Sequence, residues 1–206
     1  MNRHILRRSA AAVVIAGLAV AAQSQTGSKD TGAGAGTASS SSATTAFELS
    51  SPDIANDQKI SETHVYNSFG CHGRNISPAL SWRGAPAGTK SFALLVHDPD
   101  APKSGGWWHW IVYDIPADVT SLPAAAGEPK KHLMPASVIQ GPTDFGAPGY
   151  GGPCPPPGKP HHYFFRLYAL QVAKLDIAAN AAPALVDSTV RANALGEAQI
   201  LGLYGR

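Results

Sequence analysis

The prolines and glycines constrain this chain more than any other feature. With 17 prolines and 21 glycines set between its apolar segments, it leaves little uninterrupted length for helices. The segments between them are short and rich in β-branched and aromatic residues: "HVYNSF" (64–69), "SFALLVHD" (91–98), "WHWIVYDI" (108–115), "SVIQG" (137–141) and "HYFFRLYAL" (162–170). Such runs bounded by turn residues read as strands. One helical pattern stands out, "PALVDSTVRANAL" (183–195), with Leu185, Val186, Thr189 and Val190 on one face and Asn180 or Asp187 as cap. A last strand, "AQILGLYG", follows it. The expected fold is mainly β, two packed antiparallel sheets with one C-terminal helix.

Only part of the chain carries this pattern. Residues 1–24 have a basic start (Arg3, Arg7, Arg8), an apolar run from Ala10 to Ala22 and small residues beyond, the order of a signal peptide. The apolar run is shorter than the roughly 20 residues a membrane span requires, so no stable span is expected after cleavage. Residues 25–45 are Gly, Ser, Thr and Ala with little to bury, the composition of a disordered linker. Residues 46–206 remain as one domain, and the expected location is periplasmic or secreted. A net charge of +2, with 16 basic and 14 acidic residues scattered along the chain, argues against a nucleic-acid partner.

The 2 cysteines, Cys71 and Cys154, fall in the part expected to be exported, where an even count favours a disulfide. Their separation, 154 − 71 = 83 residues, would make such a bond worth about 4 kcal/mol in the chain-entropy account. Two buried thiols are the alternative.

Candidate chemistry gathers at strand ends. In "DPDAPKSGGWWHW" (98–110), Asp98 closes one strand and His109 opens the next. Strand alternation puts Asp98 on a face with Val96, Leu94 and Phe92, His109 with Ile111 and Tyr113, and His161 with Tyr163, Phe165 and Leu167. The loop "DFGAPGYGGPCPPPGKPHHYF" (144–164) holds 6 prolines and 5 glycines, stiff at the former and open to close backbone approach at the latter. A carboxylate and two imidazoles converging there would form a small polar pocket.

Two rival readings stand beside it. Asp98, His109 and His161 have the composition of a two-histidine, one-carboxylate metal enzyme, with His97, His162 and His72 in reserve. Against catalysis, the chain has no HExxH motif, and Ser104 and Ser137 lack a nucleophile-elbow context, so neither enzymatic activity nor a cofactor is expected. A protein-interaction or inhibitor module is the other rival, with Trp107, Trp108 and Trp110 as an exposed rim if they are not core.

"NISPALSW" (75–82), "PAGTKSFALLVHDPDAP" (86–102), "GWWHWIVYDIP", "GYGGPCPPPGKPHHYFFRLYAL" and the closing "LYGR", in that order, resemble the phosphatidylethanolamine-binding protein family in its bacterial Raf kinase inhibitor-like branch. The resemblance covers essentially residues 47–206. It implies a central antiparallel sheet packed on a smaller one, with a pocket at one end for phosphate or a phospholipid headgroup. By motif match the ligand-binding residues would be Asp98, Pro102, His109, Gly152, Pro155, His161 and Tyr163. The family often shows His-Arg where this chain has His161-His162, and "KSGG" stands where animal members tend to carry an aromatic residue before the histidine. Arg74, in the "GCHGRN" turn with His72, is then a candidate for the positive charge missing at 162. Asp98 is expected to orient His109 or His161, since a carboxylate next to a phosphate serves better as a partner for an imidazole than as a direct contact.

Overall fold

The computed structural model describes residues 46–206. The expected signal peptide and linker lie outside the described residues. Nine strands and one α-helix follow in the order β1 (Glu48–Ser50), β2 (Gln58–Lys59), β3 (Leu80–Arg83), β4 (Ser91–Asp98), β5 (Trp107–Pro116), β6 (Ser121–Leu122), β7 (Ile139–Gln140), β8 (His161–Leu170), α1 (Pro183–Ala192) and β9 (Ala194–Tyr204).

They form two sheets, one of three strands in the order β1-β3-β6 and one of six in the order β2-β9-β8-β4-β5-β7. All pairings are antiparallel except β2 with β9, where Gln58 and Lys59 run parallel to Gly202 and Leu203. The near-continuous apolar runs of β4 and β5 reflect burial on both faces. One face carries Phe92, Leu94, Val96, Trp110, Phe165 and Leu167 against Leu49, Leu80, Trp82 and Leu122 of the small sheet. The other face, with Ala93, Leu95, Ile111, Tyr113 and Tyr168, packs against Leu175, Val186 and Val190.

Several local expectations change. Residues 64–69 form no strand, because the His64 and Val65 N–H groups close tight turns on Ser61 O and Glu62 O, and Phe69 has a left-handed φ of 55°. The helix ends at Ala192, and its N-cap is Ala182 with no side-chain cap, so neither Asn180 nor Asp187 serves. Val186 and Val190 are buried as expected, whereas Leu185 is exposed. The 137–141 strand shrinks to Ile139–Gln140, while the last strand starts earlier, at Ala194.

The largest consequence for the site is a β-bulge. Val96 pairs with Trp110 and His97 with Trp108, so His109 has no partner of its own on β4. An extra residue in one strand interrupts the alternation of faces. His109 therefore leaves the face of Ile111 and Tyr113 and joins that of Trp110 and Tyr163, its ring 5.1 Å from the Tyr163 ring. Strict alternation places this histidine on the wrong side of the sheet.

Candidate functional site

Because β4 runs antiparallel to both β5 and β8, its last residue lies where they begin. Asp98, His109 and His161 meet there without any of the three chain segments leaving its strand by more than a turn. Asp98 is 3 % exposed. Its Oδ1 accepts the N–H groups of Asp100 at 2.8 Å and Ala101 at 3.1 Å, which shapes the "DPDAP" turn. Its Oδ2 accepts the His161 Nδ1–H at 2.8 Å. A second carboxylate–imidazole pair lies further out, where the His162 N–H and Nδ1–H donate to Asp100 Oδ2 at 2.8 and 2.6 Å.

His109 is held differently. Its Nδ1–H donates to Gly151 O at 2.7 Å, and the Gly151 N–H donates back to His109 O at 2.9 Å. Burial pushes the imidazole pKa down to about 4, outweighing the Gly151 carbonyl and the Asp98 charge, which favour the protonated ring. His109 is thus neutral near pH 7. An unfolded chain protonates this histidine below about pH 6.5, so between about pH 6.5 and 4 the unfolded state holds the extra proton. Stability associated with His109 is fully present above that window and is lost as pH falls through it, by about 3 kcal/mol in total. Urea unfolding of the wild type and His109→Gln at pH 7.5 and 4.5 checks this; equal pH slopes in the two proteins would contradict it.

These groups open onto a cavity of about 220 Å³. Ala101 and Pro102 from the turn before β5, with Trp107 at the start of β5, form one wall, and Cys154, Pro155 and Pro156 another. Tyr163 and Phe145 lie beside His109, the Phe145 ring 5.4 Å from both the His109 and the Trp107 rings. The Tyr163 hydroxyl and the Trp107 Nε1–H are buried and have no hydrogen-bond partner among the described residues. Burial, together with the adjacent Asp98 carboxylate, pushes the Tyr163 phenol far above its ordinary range. The cavity is therefore an apolar, aromatic chamber with a few polar atoms at its inner end.

Comparison with known proteins extends this geometry. Residues 50–205 match the sequence profile described as phosphatidylethanolamine-binding protein. The chain belongs to the phosphatidylethanolamine-binding protein family. It is 47 % identical over 160 residues to the UPF0098 protein YbcL of Escherichia coli, covering 77 % of this chain and 87 % of YbcL. The UPF0098 protein YbhB of the same organism is 42 % identical over 157 residues, covering 76 % of this chain and 99 % of YbhB. The crystal structure of YbcL, described as a new member of the mammalian PEBP family, superposes with a TM-score of 0.76 at 46 % identity, covering 78 % of this chain and 98 % of that one.

Of the residues matched to this phosphatidylethanolamine-binding protein pattern, Asp98, Pro102, His109, Pro155, His161 and Tyr163 all line the cavity. Gly152 does not. Its N–H donates to Asn75 Oδ1 at 2.8 Å, and a Cβ there would strike the backbone of His64 and Tyr66. Gly152 is tightly packed there, and its neighbour Gly151 accepts the His109 Nδ1–H. Asp98 pairs with His161 and makes no hydrogen bond to His109, which settles the either-or expectation for its partner.

Arg74 is exposed and is not among the cavity-lining residues, so the charge expected of it is not delivered there. The arginine that does brace the cavity walls is Arg206, whose Nε–H donates to Pro155 O at 2.7 Å and Nη1–H to Gly70 O at 3.1 Å. It belongs to "LYGR", which carried the resemblance without suggesting a contact. Phe69 also lines the cavity, 67 % exposed, and was legible only as part of a presumed strand. Cys71 and Cys154 are joined in a disulfide, which places the Phe69 turn beside the Pro155 wall. The tryptophans divide: Trp110 is core, Trp107 lines the cavity, and Trp108 packs against His97 with the rings tilted by 33° and their centroids 4.1 Å apart. Among the described residues no three His, Cys, Asp or Glu side chains are grouped so as to hold a metal ion, and no helix is long and apolar enough to cross a membrane.

Proposed function

We propose that this protein is an exported binding protein for small phosphate-type anions, free or as a headgroup, and that it holds its ligand without transforming it. The observation that carries this reading is the Asp98–His161 pair, 2.8 Å apart at the inner end of a cavity of about 220 Å³. When it carries both ring protons, His161 donates through Nε2 into the cavity while Asp98 balances the charge from behind, so the anion meets a donor and not the carboxylate. The apolar walls exclude competing water and strengthen that hydrogen bond. Family membership supports the same ligand class. Export is supported by the Cys71–Cys154 disulfide, which persists in oxidising compartments, and by the basic-then-apolar start of the chain.

Imidazole NMR on the chelator-treated protein, titrated first with a phosphomonoester and separately with zinc, tests the proposal. Saturable shifts at His109 and His161 with the phosphomonoester alone are expected. Tight zinc shifts with silence toward phosphate would replace it with metal chemistry, and silence toward both would leave an interaction role.

A further inference from the structure

The two cavity imidazoles present different atoms to a ligand. A carbonyl oxygen can only accept, so the 2.7 Å contact with Gly151 O places the single proton of neutral His109 on Nδ1. Nε2 is left with a lone pair. It has no hydrogen-bond partner among the described residues and is not one of the buried atoms sealed from solvent. The ring lines the cavity and is 4 % exposed, and burial is the main reason it stays neutral. Charged groups around it act in opposite directions: Asp98 on β4 favours a second proton on His109, and His97 on the same strand opposes it. From β8, Tyr163 faces it as a neutral phenol, with His161 beside Asp98, and the Asp100–His162 pair lies further out.

The cavity therefore offers one acceptor, His109 Nε2, and beside it the His161 ring, which donates through Nε2–H when it carries both ring protons. We infer that it selects an anion that carries its own proton: a phosphomonoester or inorganic phosphate with a P–OH group, in preference to a phosphodiester or to sulfate. The P–OH donates to His109 Nε2 while an anionic oxygen of the same phosphorus accepts from His161. A phosphodiester, the form in which phosphate occurs in a phosphatidylethanolamine headgroup, has no such hydrogen and sets an oxygen lone pair against the His109 lone pair. Sulfate has the same shape as phosphate and the same defect. This inference rests on the anion-binding reading and narrows its ligand class.

Leaving a buried acceptor unmatched reduces affinity by about tenfold or more. The selection also has a pH signature, because the second ionisation of a phosphomonoester lies near pH 6. Affinity for the monoester falls as pH rises from about 5.5 to 8, since the P–OH proton belongs to the bound state.

Isothermal titration calorimetry at pH 6 with inorganic phosphate, sulfate, phosphoethanolamine and glycerophosphoethanolamine tests this. Phosphate is expected to bind at least about tenfold more tightly than sulfate, and phosphoethanolamine than its glycerol diester. His109→Gln, which places an N–H donor in the cavity, is expected to bring phosphate and sulfate to within about threefold of each other. Equal binding of phosphate and sulfate by the wild type would overturn the inference and leave the anion-binding reading standing. Binding of none of the four would overturn the anion-binding reading itself. A ¹⁵N spectrum of the wild type needs no variant to fold: an Nε2 of His109 that carries a proton at pH 7 in the free protein would also overturn the inference.

Discussion

Replacing both cysteines by serine, Cys71→Ser with Cys154→Ser, is expected to lower the thermal unfolding midpoint by about 10 °C. The bond closes a separation of 83 residues. In the chain-entropy account its loss costs about 4 kcal/mol, and for a domain of this size each kcal/mol moves the midpoint by about 2–4 °C. Calorimetry of the oxidised wild type, the wild type in reductant and the double variant measures it; a shift under about 3 °C would show that the unfolded chain gains little freedom when the bond is absent. The cavity should suffer less than the fold. Arg206 still bridges Pro155 O and Gly70 O, so the Phe69 turn and the proline wall keep a second link when the first is removed. Phosphate affinity of the double variant, measured well below its unfolding midpoint, is accordingly expected to fall by no more than about fivefold, within the net worth of one hydrogen bond.

Asp98 is the residue whose loss should reach furthest. Asp98→Ala removes the acceptor for two backbone N–H groups and for the His161 ring in a position 3 % exposed to solvent. Breaking a buried pair of this kind costs about 3–5 kcal/mol, because the partners stay behind unsatisfied. Asp98→Asn separates support of the turn from balance of charge. The amide oxygen still accepts from part of this set, so the stability loss is expected to be about 1–3 kcal/mol. An amide offers no charge to balance an imidazolium, and phosphate affinity at pH 6 is expected to fall by about tenfold or more. Chemical denaturation and calorimetric titration of the two variants give both numbers. An Asn variant that binds phosphate as the wild type does would remove Asp98 from the binding machinery and leave it as the residue that shapes the turn.

How much of this was legible from the residues depends on the range over which each signal acts. β4 was read as Ser91–Asp98, its observed extent, because a continuous apolar run between turn residues is a local pattern that burial on both faces reinforces. Residues 64–69 have similar composition and form turns, since the His64 and Val65 N–H groups close on Ser61 and Glu62 and the Tyr66 N–H meets Pro153 O of the proline loop in place of a strand. In the site, Asp98, His109 and His161 were each nameable from motif and position, and Pro102, Pro155 and Tyr163 joined them by resemblance. Gly152 joined them by resemblance too but does not line the cavity, since only the fold shows that it packs on the His64–Tyr66 backbone. Arg206 gave no local signal at all, since its contacts join residues 51 and 136 positions away.

Proline and glycine spacing, strand composition and the ordered motifs determined a mainly β domain with its polar chemistry at strand ends, because those properties act over a few residues and need no partner to be expressed. The face on which His109 lies, the choice of His161 as the partner of Asp98, and the meeting of the Phe69 turn with the proline wall were decided only by tertiary structure. Each depends on register between strands, on a one-residue bulge or on a link across 83 residues, and a register is a relation between segments that neither segment encodes alone.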